Sequence, residues 1–167
     1  GDFATIVNGG DGYYDISQNI IAGNGYSIAH EPPYTPTSYR TPGMPYFIAW
    51  AYFFFGSYFA VLLLHIFIGS LVPVLGMRIA RYITNVRAIC IAVGVFLALE
   101  PTSVLFSTVF LSEIVFTFLF LLSFIFLFRY WKERKIELLL VSAFLLGLST
   151  LTRPTVMYLP VIMIALI

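Results

Sequence analysis

The sequence predicts an all-α membrane protein, a polytopic helical bundle with an external loop that carries amphipathic surface helices. Three observations predict it. The stretch from Met44 to Met77 holds no Lys, Arg, Asp or Glu, and a hydrocarbon layer takes about 20 apolar residues per helical crossing. Hydrophobic residues make up 60% of the 167 residues and charged ones 10%, a balance that the surface of an ordinary soluble domain does not reach. The charges are also segregated: Arg78, Arg81 and Arg87 mark one loop, and Arg129, Lys132, Arg134 and Lys135 mark another beside Glu133 and Glu137.

The elements follow in order. Tyr13, Ile16 and Ile20 recur at helical spacing and Gly23 supplies a stop, so Gly12 to Ala22 reads as a short amphipathic helix suited to the bilayer surface. Glu31 to Pro45, rich in Pro, Tyr and Thr, reads as ordered loop. Thr41-Pro42 resembles an N-cap followed by a first-turn proline. By the positive-inside rule both basic loops are cytoplasmic, which makes residues 1–43 an external loop with a juxtamembrane helix and residues 44–167 the transmembrane region. Met44 to Met77 then runs inward; it is too long for one straight helix and is expected to break near Gly56. Residues 88–128 span about twice one crossing and should go out and return, turning near Pro101 to Ser112. Leu138 to Leu151 runs outward, and Thr152-Arg153-Pro154 breaks it at the outer surface, from which Thr155 onward re-enters. Four crossings and part of a fifth element result. Trp50, Tyr46 and Tyr52 are placed as an outer aromatic belt, mirrored by Tyr130 and Trp131 at the inner face.

The net charge of +1 arises from few, dispersed charges, which argues against nucleic acid as a partner. Cys90 is the sole cysteine, so neither an intrachain disulfide nor a cysteine metal cluster can be built, and a buried thiol is expected. Gly1 stands where an initiator Met would, and the last apolar run, Val156 to Ile167, is short of a crossing. The chain is therefore expected to be an internal piece of a longer protein.

The topology gathers Asp2, Asp11, Asp15, His30, Glu31, Arg40, Glu100, Glu113 and Arg153 on the outer side. Glu100 and Glu113 stand in apolar segments, where a mid-helix carboxylate costs roughly 2.5–3.5 kcal/mol and persists mainly beside a cavity or a partner. Each is a candidate site residue, unless both simply reach water at the turn. Asp11, presented by Gly9-Gly10, could serve as a general base beside Tyr13 and Tyr14, while spacing alone favours a plain N-cap. Asp15 lies one turn on. Arg40 and Arg153 each flank a proline motif, where a guanidinium can hold a phosphate in bidentate fashion or merely anchor a helix end. His65 reads as a hydrogen-bonded packing residue and His30 as a loop residue. Nothing resembles a zinc site, a nucleotide-binding glycine loop or a serine triad.

Several motifs taken in order resemble the GT-C integral-membrane glycosyltransferases of the protein-mannosyltransferase and aminoarabinose-transferase type. They are Gly10-Asp11-Gly12-Tyr13-Tyr14, the run from Asn19 to Ser27, the run from Pro36 through Tyr39-Arg40-Thr41-Pro42-Gly43 to Pro45, Leu111-Ser112-Glu113, and the run from Gly147 to Thr155. The resemblance covers roughly residues 9–160, and its most specific part is the pairing of Gly23-Asn24-Gly25-Tyr26-Ser27 with Arg40-Thr41-Pro42-Gly43. It implies a GT-C architecture, a polyprenyl-phosphate-linked sugar donor, a lipid, glycan or protein acceptor, and inversion at the anomeric carbon. It also implies a bacterial or archaeal plasma membrane, with the site on its external face among membrane lipids. Asp11 matches the family's essential acid, with Asp15 as the alternative. Arg40 or Arg153 would compensate charge on the departing phosphate, and Glu113, Tyr39 and Glu100 would complete substrate binding. No metal ligand is assigned; relatives differ in using a divalent cation. The fragment alone is not expected to turn over. A polytopic transporter or lipid flippase is the alternative, and it would need charged residues along a path through to the inner side.

Overall fold

The computed structural model describes residues 11–158; Asp2, the Gly9-Gly10 lead into Asp11 and most of the final apolar run lie outside them. Among the described residues there is no strand. The elements are α1 (Tyr13–Ile21), α2 (Gly43–Phe55), α3 (Tyr58–Ile83), α4 (Arg87–Leu99), α5 (Pro101–Ser107), α6 (Ser112–Glu133) and α7 (Ile136–Thr152), followed by a 3-10 turn at Pro154–Val156. The protein is an integral membrane protein of the predicted all-α class.

α3 and α6 are long and apolar enough to cross a membrane, and α4 with α5 forms a pair bent by 54° that can count as a third span. α7, with 17 residues, is about 25 Å long at 1.5 Å per residue, short of a full hydrocarbon core of ~30 Å. The four crossings expected from sequence are therefore two full-length spans, a bent third and a short fourth helix. The bend falls at Glu100, where Pro101 cannot continue the α4 ladder because it lacks an N–H.

The run from Met44 to Met77 is not one crossing. Gly56 adopts φ 63°, a left-handed conformation that glycine takes without a Cβ clash, and it separates a 13-residue α2 from a 26-residue α3. α2 is too short to span and leaves Trp50, Phe53 and Phe54 exposed, as an aromatic belt at an interface would. Tyr52 instead packs inward on Tyr58, ring centroids 4.4 Å apart. The expected N-cap at Thr41 is absent: Pro42 holds the N-cap position, and the Thr41 hydroxyl donates to the Thr152 carbonyl at 2.7 Å.

Helices α3 and α4 pack through glycines. A Cβ on Gly76 would come within 2.3 Å of Leu97 Cδ1, and one on Gly94 within 2.3 Å of Met77 Cγ, the small-residue approach that membrane helices use in place of a hydrophobic driving force. α6 and α7 are joined by a bond from the buried Ser142 hydroxyl to the Ser123 carbonyl at 2.8 Å. Tyr82, near the end of α3, stacks on Phe128, near the end of α6, at 5.3 Å, so the two basic loops share one pole. At the opposite pole Tyr13 and Tyr14 of α1, Met44, Ile48 and Ala51 of α2, Val61 of α3, and Phe110 and Val115 beside the α5–α6 turn form the core. That core seats the N-terminal segment on the bundle.

Candidate functional site

Asp11 does not cap α1. Gly12 takes the N-cap position at φ 77° without a side-chain bond, and the Asp11 carboxylate turns instead to Arg40. Arg40 Nη2 meets Asp11 Oδ1 at 2.5 Å, and its Nε donates to the Asp11 carbonyl at 2.8 Å. The guanidinium lies over the rings of Tyr39, at 4.5 Å, and Tyr13, at 5.4 Å, as a cation does on an aromatic face.

The loop that delivers Arg40 is held by the motif that precedes it. Asn19, nearly buried on α1, donates to the carbonyls of Ser27 at 2.8 Å and Ala29 at 2.9 Å, while Asn24 donates to its Oδ1 at 3.1 Å. Gly23 and Gly25 both carry positive φ, which makes that tight return possible. The Tyr26 hydroxyl donates to the Arg40 carbonyl at 2.9 Å. Burial, reinforced by Tyr13 and Tyr46, pushes that hydroxyl up to about 12, so it remains a donor across the physiological range. The paired motifs in sequence are thus one physical unit: an asparagine-stapled loop whose tyrosine holds the arginine backbone.

From the bundle, the first turn of α6 and the turn after α7 supply the other half. Arg153 Nη1 meets Glu113 Oε1 at 2.9 Å. The Tyr13 hydroxyl donates to Ser112 Oγ at 3.2 Å, which in turn lies 3.4 Å from Glu113 Oε2. Asp11, Tyr13, Tyr39, Arg40, Thr41, Ser112, Glu113, Thr152, Arg153, Pro154 and Thr155 enclose a polar pocket of about 330 Å³. Two guanidinium and two carboxylate groups face it. Thr152 also lines a larger apolar groove of about 890 Å³, walled by Tyr46, Phe47, Trp50, Phe118, Phe144 and Leu148 among others. The polar pocket and the greasy groove therefore lie on either side of Thr152.

Of the residues singled out from sequence, Asp11, Tyr39, Arg40, Glu113 and Arg153 come together here. Asp15 lies one turn along α1 and does not line the pocket. Glu100 stands elsewhere, where its carboxylate accepts from the backbone N–H groups of Thr102 at 3.0 Å and Ser103 at 2.6 Å and so caps α5. Tyr13, expected beside Asp11, lines the pocket, as do Thr41, Ser112 and Thr152, for which the sequence assigned no part in the site; the signal for two of them was a Thr close before a Pro, at 41–42 and 152–154. Among the described residues no group of three His, Cys, Asp or Glu side chains could hold a metal ion. Among the described residues, ion pairs join groups within a pole, Asp11–Arg40 and Glu113–Arg153 at this one, Arg129–Glu133 and Lys135–Glu133 at the other.

In comparison with known proteins, residues 39–167 match the family model described as dolichyl-phosphate-mannose-protein mannosyltransferase. The matched stretch contains Tyr39, Arg40, Glu113 and Arg153, whereas Asp11 and Asp15 precede it. No curated protein and no solved structure matches the chain.

Proposed function

The chain belongs to the dolichyl-phosphate-mannose-protein mannosyltransferase family, and from that membership and the pocket geometry we propose that it moves a sugar from a polyprenyl-phosphate carrier to an acceptor at the external membrane face, with inversion. As a family member it is a membrane glycosyltransferase of the GT-C type; the donor, the stereochemistry and the side of the membrane are our reading. The observation that carries it is the adjacency of the arginine-bearing pocket and the apolar groove, which share Thr152 in their walls. An isoprenoid phosphate has this same division, an anionic head on a hydrocarbon tail.

In this reading the tail lies in the groove and the phosphate meets Arg40 and Arg153, whose planar forks suit phosphate oxygens. The acceptor hydroxyl or amine attacks the anomeric carbon on the face opposite the phosphate. A bond from that carbon to the acceptor forms as its bond to the phosphate oxygen breaks, and the electron pair leaves on the polyprenyl phosphate. Asp11 takes the acceptor's proton as general base. Before the donor arrives, Arg40 neutralises Asp11; a phosphate that draws the guanidinium away frees the carboxylate to act, so donor binding precedes activation of the acceptor. Glu113, through Arg153, holds the second guanidinium in place.

The test is transfer of radiolabelled sugar from membrane lipid to acceptor by the full-length protein. Asp11→Asn should lower turnover about 10²–10⁴-fold, the usual contribution of a positioned base, and Asp15→Asn should stay near the parent. Normal turnover by Asp11→Asn would remove the base from the scheme, and a loss in Asp15→Asn alone would move the role to that residue.

A further inference from the structure

We propose that His65 is a positioning residue: its ring, set between the two ends of the α5–α6 turn, hydrogen-bonds that turn to α3 and so sets how Ser112 and Glu113 enter the polar pocket. This rests on the reading of that pocket as the transfer site. His65 is fully buried in α3, in an apolar span where ring nitrogens must find protein partners. Nδ1 lies 3.1 Å from the Ser107 carbonyl oxygen and Nε2 lies 3.2 Å from that of Leu111. Ser107 is the last residue of α5 and Leu111 the N-cap of α6, so the two contacts bracket the turn. The Ser107 carbonyl belongs to a helix end and lacks an intrahelical partner. A neutral ring donates to one of the two carbonyls and sets a lone pair against the other, while a protonated ring donates to both; with one donated bond or two, α3 is tied to the turn.

The surrounding packing leaves the turn little slack. Phe110, fully buried at the turn, sits edge-on to the imidazole with centroids 6.3 Å apart. One helical turn along α3, a Cβ on Gly69 would stand 3.3 Å from Ser107 Cβ and 3.4 Å from Ile114 Cγ2. The same face of α3 therefore bears on the residue before the turn and on the first turn of α6.

What the turn delivers explains why its position matters. Glu113 lines two cavities: the polar pocket, and a separate one of about 330 Å³ walled by Gly69, Ser107, Ile114 and Thr117 among others. The first turn of α6 carries the Glu113 carboxylate to Arg153, so the placement of that turn sets whether Arg153 is held. His65 lines neither cavity and acts through the backbone.

The experiment is a mutant cycle on the full-length protein, read by labelled-sugar transfer. His65→Phe keeps a ring against Phe110 and removes both nitrogens; it should lower kcat by about 10- to 100-fold, the scale of a misplaced group, with donor KM changed less than about twofold. His65→Gln, which carries two N–H donors, should recover most of that loss. In a Glu113→Gln background His65→Phe should cost less than about twofold more, because what it positions is already gone. Equal costs in both backgrounds, or normal turnover by His65→Phe, would overturn the inference. If His65→Phe is not recovered folded, Gly69→Ala, which pushes on Ser107 and Ile114 from the same helix, replaces it and must show the same dependence on Glu113. Normal turnover by Asp11→Asn or Glu113→Gln alone indicts the site reading; impairment of both, with an independent cost at His65, indicts the clamp alone.

Discussion

Arg40 touches Asp11 through two nitrogens, but the pair is 26% and 36% exposed, and such pairs contribute about 0–1 kcal/mol to stability. Asp11→Asn should therefore leave thermal unfolding in detergent within about 1 kcal/mol of the parent while transfer falls by orders of magnitude; equal losses in both would recast Asp11 as structural. Arg153 tests the phosphate assignment separately. Arg153→Lys keeps the charge and loses the planar fork, and forfeiting one charge-assisted bond of ~1.5 kcal/mol should raise donor KM about tenfold, whereas an unchanged KM would assign Arg153 to anchoring the end of α7. At this scale the sequence was informative about residue type and silent about partners. Asp11 looked like a cap because it precedes a helix, and Glu100 looked like a site residue because it stands in an apolar segment. The first pairs with Arg40, 29 residues away, which sequence neighbours cannot show; the second caps α5 through Thr102 and Ser103 beside it, a local role that its apolar surroundings masked.

Two glycines separate what elements reveal from what packing demands. Gly56 was legible as a break, because the apolar run is too long for one helix and glycine is the residue that takes φ 63°. A Cβ there meets nothing within 4 Å, so Gly56→Ala should cost only the backbone penalty, roughly 1–2 kcal/mol, and retain transfer. Gly43 was not legible in the same way. A Cβ on it would lie 2.7 Å from the backbone C and O of Leu151, and a backbone cannot swing aside as a side chain can. Gly43→Ala should force α2 off α7, strain the Thr41–Thr152 bond, cost about 1–3 kcal/mol as overpacking does, and open the junction between pocket and groove, lowering transfer as well as stability. Similar turnover in the two alanine variants would show that the close approach at Gly43 has no bearing on the site.

For the whole molecule the decisive property is polarity from end to end. On a Cys90→Ser background, single cysteines at Asn85 and Glu133 should react with an impermeant maleimide only from the side opposite to those at His30 and Thr108; labelling of positions 85 and 30 from the same side would overturn the two-pole arrangement. The helical class, the basic pole, the short helix that starts near Gly12 and the break at Pro101 were determined by the sequence itself, because hydrophobic length, charge asymmetry and proline act locally and need no partner to be read. Only the tertiary structure decided that the helix before Gly56 packs into the core beside α1 while the one after it is long enough to cross, that Asp11, Arg40, Glu113 and Arg153 share one pocket, and that this pocket adjoins the groove at Thr152. Those outcomes depend on side chains up to 111 residues apart meeting across helices, and their energies arise only once the bundle has closed.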